Sequence, residues 1–222
     1  MALRSWLFVP GDSEKKLSKA AETGADAIIL DLEDSVTPAN KARARELTLG
    51  WLESSRNATN DAARQGRWVR INALDSGIWH DDLSAVMPGA PDGIMLPKSA
   101  GPESVQQLSD VLSELEQRHG IASGATKILP LVSETAAAAI TIPAYARFSQ
   151  PRLAGLTWGA EDLSAAIGAT RTEAVSRARR RMKSTMAASS ITGWVLGMTI
   201  MVVTPPMNRM ARVNPVNQSA WV

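Results

Sequence analysis

The 222-residue chain contains no cysteine, which excludes disulfide staples, a thiolate nucleophile and every zinc or iron–sulfur centre built on thiolates. Its two histidines, His80 and His119, have no metal-ligand spacing and receive no role, so a metal here would have to be held by oxygen. Long apolar runs are also missing. The N-terminal stretch is stopped by Pro10-Gly11-Asp12, too early for a signal-peptide core or a membrane span, and a cytoplasmic protein without membrane attachment is expected. No Gly-x-Gly-x-x-Gly follows a strand-like run, which argues against a nucleotide-binding Rossmann domain. Acid is absent from one end. All 22 Asp and Glu lie within residues 1–173, beside 17 of the 24 Lys and Arg, so the body carries −5 and residues 174–222 carry +7.

Hydrophobic residues make up 45% of the chain, enough for a sizeable core in one α/β domain. Six β-like runs alternate with helical stretches: Trp6 to Val9, Ala27 to Leu32, Trp68 to Asn72, Gly93 to Leu96, Ile128 to Val132 and Leu153 to Trp158. Ser13 predicts an N-cap for a helix to Glu22, Pro38 a helix start running toward Leu52, and the spacing of Val105, Leu108, Val111, Leu112 and Leu115 an amphipathic helix over Pro102 to His119. The polar segment Ser54 to Gly66 reads as a loop. Chemically interesting residues sit at the carboxyl ends of different runs: Glu33 and Asp34, Arg70, Lys98, Glu134, and Glu161 with Asp162. That scatter suits the active mouth of a barrel, whereas an open doubly wound sheet gathers its ligand groups at one switch point.

Glu134 and Asp162, each just after an apolar run, form a carboxylate pair suited to a hard divalent cation such as Mg2+. Arg70 supplies a guanidinium fork for a substrate carboxylate. Plainer readings stand beside these. Either acid is also explained as a first-turn residue at a helix N-terminus, and Arg70 as an ion-pair partner of Glu33 or Asp34. Lys98 has the position of a Schiff-base lysine, but the carboxylate pair favours the metal-dependent alternative and leaves Lys98 a salt bridge or a contact at the substrate's edge. Residues 173–222, basic and holding six of the nine Met, read as a divergent tail; a shifted reading frame explains them more simply than an interaction arm. The Arg177 to Lys183 cluster lacks regularly spaced aromatics, so nucleic acid is not the expected partner.

Arg4-Ser-Trp-Leu-Phe-Val-Pro-Gly-Asp12, Ile29-Leu-Asp-Leu-Glu-Asp-Ser-Val36 with Lys41 and Arg45, and Trp68-Val-Arg-Ile-Asn72 occur in that order. Leu96-Pro-Lys98, Leu131-Val-Ser-Glu-Thr135 and Gly159-Ala-Glu-Asp-Leu163 follow them. Together they resemble the citrate lyase β-subunit-like family of the HpcH/HpaI aldolase superfamily, over roughly residues 4–170. The resemblance implies a TIM (β/α)8-type barrel spanning residues 1–172, incomplete after about residue 170 because no seventh and eighth βα units are recognisable. It implies a Mg2+-dependent lyase that makes or breaks a C–C bond in a citryl-, malyl- or citramalyl-CoA type thioester, working as a homo-oligomer. By the same likeness, Glu134 and Asp162 would be the metal ligands. Arg70 would hold the substrate carboxylate and oxyanion, and beside that likeness Glu33 or Asp34 is nominated as the hydrogen-bond partner that tunes proton transfer in catalysis. Pro10, Gly11, Lys15, Lys16, Gly159, Ala160 and Glu134 would line the substrate and CoA pocket. A CoA-independent 2-keto-acid aldolase and a catalytically impaired homologue that only binds a CoA ester or partner remain as alternatives.

Overall fold

Five of the apolar runs become five parallel strands: β1 (Trp6–Pro10), β2 (Ala27–Asp31), β3 (Gly66–Arg70), β4 (Gly93–Leu96) and β5 (Lys127–Pro130). The structure is a computed structural model and describes residues 3, 5–56 and 65–168. The strands lie side by side in chain order, β1-β2-β3-β4-β5, each parallel to the next. An order that never reverses has no switch point, and with a helix after each strand it is the βα progression of a barrel wall. The helices are α1 (Glu14–Ala20), α2 (Lys41–Ser55), α3 (Trp79–Val86), α4 (Pro102–His119), α5 (Ala136–Thr141) and α6 (Ala160–Ala166).

The two-residue period of the strands divides the core in two. Ile28, Leu30, Val69, Ile94, Leu96 and Ile128 face the helices and pack with Leu17, Ala44, Leu52, Leu83, Val105, Leu108 and Leu112. Ala27, Ile29, Trp68, Met95, Leu129 and Leu131 form a separate inner layer with Trp6, Phe8 and Ala154. Trp68 dominates that layer, edge-on to Trp6 with ring centroids 5.0 Å apart. It fits because β4 opens with glycine: a Cβ on Gly93 would stand 2.2 Å from the indole. Asp31 and Arg70 continue the inner parity by two residues, and the register sets Pro10, Asp31, Arg70 and Met95 abreast. The apolar layer is thereby capped by charge at the carboxyl ends of the strands.

The expected sixth strand, Leu153 to Trp158, forms only two isolated parallel bridges, Ile128↔Leu153 and Leu131↔Thr157. The bridges are four residues apart on one side and three on the other, so one residue is extra, as in a bulge. Pro130 explains the break. It has no N–H to continue the ladder, and its carbonyl instead accepts both the N–H and the Oγ1 hydroxyl of Thr157 at 3.0 Å. Ser13 holds the extended N-cap position but makes no side-chain capping bond. The helix from Pro38 begins with a 3-10 turn (Pro38–Asn40) and runs to Ser55, so the expected loop starts inside α2, while residues 57–64 lie outside the described part. Residues 173–222, read from the sequence as a divergent tail, also lie outside it.

Candidate active site

Asp31 ends β2 on the inner face, and its neighbour in register, Arg70, ends β3. The pair is bidentate: Nε and Nη2 of Arg70 each donate to Asp31 at 2.7 Å, and both side chains are buried. Asp31 also accepts the N–H of Glu33 at 2.9 Å and of Ser35 at 3.3 Å, which turns the chain after β2 so that Glu33 comes back to the arginine. Burial alone would raise the Asp31 pKa, but the Arg70 fork and these donors hold it below its ordinary value. The Nη1 atom of Arg70 lies 3.0 Å from Glu33 Oε2 and 3.7 Å from Asp34. Its guanidinium carbon is 4.9 Å from the centroid of the Phe8 ring. Opposed by burial, these acids nonetheless raise its pKa.

Glu33 is buried and joins two cations, since its Oε1 accepts from Lys98 Nζ at 2.8 Å. Burial raises its pKa against the pull of Arg70 and Lys98. Lys41 holds the loop from behind: its ammonium donates to the carbonyls of Leu32 and Glu33 and to Asn72 Oδ1, at 2.6, 2.8 and 2.8 Å. Asn72 in turn is fixed by buried Asp82, which accepts from its N–H and its Nδ2 at 2.7 Å, and Arg45 closes the network on Asp82 at 2.8 Å.

Glu134 follows β5 in a buried position. It is not a helix-start acid, because α5 is capped by Thr135, whose hydroxyl accepts the Ala138 N–H at 3.0 Å. One Glu134 oxygen, Oε2, accepts the main-chain N–H of Lys98, while Oε1 is buried with no hydrogen-bond partner. Burial pushes its pKa up to about 7; Glu33 and Asp162 add to the rise, and Arg70 and the Lys98 N–H oppose it. Asp162 approaches from the first turn of α6. Gly159 lies between the two acids, its N–H on the buried Ser133 hydroxyl at 2.9 Å. A Cβ there would fall 2.8 Å from Glu134 Cγ and 3.5 Å from Asp162 Oδ2, so only glycine lets them close up.

The remaining expected residues surround the same strand ends. Pro10 ends β1, Gly11 is buried beneath Thr48, and Lys15 and Lys16 occupy the first turn of α1, Lys15 exposed and Lys16 half-buried. Ala160 opens α6. Asp34 is largely exposed, 3.9 Å from Lys98. Arg70, Glu33, Asp34 and Lys98 therefore form one cluster, and Glu134 with Asp162 an adjoining one linked through Lys98. Sequence reasoning gave Arg70 the partners Glu33 and Asp34 but missed Asp31, its strongest one. The signal was available in strand parity, since Asp31 follows Ala27 and Ile29 at spacing two. Among the described residues no group of three or more His, Cys, Asp or Glu could hold a metal, and Glu134 with Asp162 is a set of two. A hard dication commonly binds one or two carboxylates and completes its shell with water and substrate, and the orphaned Oε1 beside a second carboxylate fits that pattern. None of the described helices is long and apolar enough to cross a membrane.

The HpcH/HpaI aldolase/citrate lyase family matches residues 4–218. A (3S)-malyl-CoA thioesterase of Cereibacter sphaeroides is 34% identical over 72% of this chain and 50% of its own length. The citrate lyase subunit beta of Haemophilus influenzae is 32% identical over 72% of this chain and 52% of its own. The chain thus spans about half the length of the curated relatives it matches. A solved citrate lyase beta subunit from M. tuberculosis, complexed with oxaloacetate and magnesium, is 32% identical, covers 83% of this chain and 73% of that one, and superposes with a TM-score of 0.54. RipC from Yersinia pestis is 30% identical at a TM-score of 0.57, over 85% of this chain and 73% of that one. The five-stranded parallel α/β architecture is shared with these structures, and the chain belongs to the HpcH/HpaI aldolase/citrate lyase family.

Proposed function

We propose that the protein is a cytoplasmic, homo-oligomeric Mg2+-dependent lyase that cleaves or forms the C–C bond of a 3-hydroxy acyl-CoA thioester of the citryl, malyl or citramalyl type. The observation that carries this reading is the meeting, at one end of one sheet, of the Glu134–Asp162 pair with an arginine fixed by buried acids. Magnesium held by Glu134 and Asp162 would lower the pKa of the substrate hydroxyl and polarise its carboxylate or keto oxygen. Arg70 supplies fixed positive charge for the carboxylate and for negative charge developing on oxygen, and its hold by Asp31 means little reorientation is needed at the moment of reaction. Glu33 and Asp34 border Nη1 and tune its charge and the proton transfers beside it. Pro10, Gly11, Gly159 and Ala160 form the rim, with Lys15 and Lys16 as cationic contacts for the CoA phosphates.

Action on a free 2-keto acid is the second reading. It is supported by the M. tuberculosis structures that hold magnesium with oxaloacetate or with pyruvate, neither of them a CoA ester. A homologue that only binds a CoA ester or partner is the third. The test is to give the full chain and Mg2+ malyl-, citramalyl- and citryl-CoA and follow the keto-acid product. Turnover of one of them is expected, with Arg70→Lys lowering kcat/KM on the order of tenfold or more, since the charge stays but the fork is lost. Cleavage of a free acid alone would select the second reading. Binding of a CoA ester without turnover would select the third.

A further inference from the structure

We infer that Lys98 is the positioning residue of this site, and that its two halves act on different acids: its main-chain N–H on Glu134 and its ammonium on Glu33. The inference rests on the reading of Glu134 and Asp162 as the metal pair and of Arg70 as the carboxylate anchor. Lys98 has φ +50, the left-handed region, which among the described non-glycine residues it shares only with Ala90. Glycine or asparagine would take that conformation more easily. The turn it makes aims the Lys98 N–H at Glu134 Oε2 and leaves Oε1 buried without a hydrogen-bond partner. A glycine would donate the same N–H, so the lysine side chain needs a reason of its own.

That reason is Glu33, whose Oε1 accepts from Nζ at 2.8 Å. The lysine side chain is 43% exposed, and an ion pair that open to water contributes little to folding. Its effect falls on the charge around Arg70. Two buried acids, Asp31 and Glu33, press on one guanidinium, with the exposed Asp34 beyond them. Lys98 balances Glu33, so that Arg70 is not wholly spent on its neighbours and an incoming carboxylate meets one uncompensated negative charge fewer. A strained backbone is thus kept because it carries a side chain that serves binding rather than stability.

The test uses the full chain with Lys98→Met, Lys98→Gly and Lys98→Arg, reading Mg2+ affinity by calorimetry, oxaloacetate affinity with and without Mg2+, and the thermal midpoint. Lys98→Met and Lys98→Gly should weaken oxaloacetate about tenfold or more while Mg2+ affinity stays within about twofold. Lys98→Arg should restore most of the oxaloacetate affinity, and Lys98→Gly should raise the midpoint by relieving the backbone. A merely structural lysine would show the reverse, a lowered midpoint with unchanged affinity. Unchanged oxaloacetate binding in Lys98→Met, no rescue by arginine, or loss of Mg2+ as complete as in Glu134→Gln would each overturn the inference. If the wild type binds no Mg2+, the metal reading fails by itself, and the metal-free oxaloacetate series still decides the role of the lysine.

Discussion

Asp31 makes four hydrogen bonds, two to Arg70 and two to the loop that carries Glu33, so one carboxylate sets both the arginine and its neighbour. Asp31→Asn keeps the shape but turns one oxygen into a donor facing other donors and takes from buried Arg70 its bidentate partner, leaving it only Glu33 and Asp34 on Nη1. A loss of about 3–5 kcal/mol in urea unfolding is expected, and a loss below about 1 kcal/mol would mean that the pair is dispensable. Glu116 gives a pH-dependent counterpart away from the site. Burial would raise its pKa, but both Arg152 nitrogens, at 2.6 and 2.7 Å, and the N–H groups of Thr126 and Gly124 bring it below the ordinary value. Its stabilising contribution is therefore complete above the unfolded carboxylate pKa of about 4.3 and is lost as the pH falls through the lower folded value. Glu116→Gln should be less stable than wild type at pH 7, with the gap closing in acid. Urea midpoints at several pH values measure it, and a gap that widens in acid would contradict the assignment.

Elements differ in how openly the sequence announces them. Helix α4 was legible at both ends, Pro102 and His119, because its apolar spacing runs unbroken between a starting proline and Gly120. The strands β1 to β5 were legible as apolar runs to within two residues at their ends, since both faces of a parallel sheet are buried. Helix α3 was not, because His80-Asp81-Asp82 reads as surface although Asp82 is buried against Asn72 and Arg45. The failure of Leu153 to Trp158 to form a full strand lay in its neighbour, in the missing N–H of Pro130, and no pattern within the segment itself could show it. Gly93 offers a test at this scale. A methyl group there would sit 2.2–2.5 Å from the rigid Trp68 ring, so Gly93→Ala should cost about 1–3 kcal/mol and alter the tryptophan fluorescence that Trp6 and Trp68 share. Unchanged stability and spectra would show that the inner layer packs differently.

For the molecule as a whole, five strands in chain order bring residues about a hundred positions apart to one end, where Glu33, Arg70, Lys98 and Glu134 meet. The candidate site residues were legible because they fall just after apolar runs. Their pairings were not, because Asp31–Arg70 depends on register and Lys98–Glu134 on a main-chain N–H. Glu134 and Asp162 are proposed to hold a divalent cation, and the most direct measurement is calorimetric titration of the full chain with Mg2+. Binding by the wild type that is lost in both Glu134→Gln and Asp162→Asn is the expected result. Affinity unchanged in both variants would place the metal elsewhere and contradict the account.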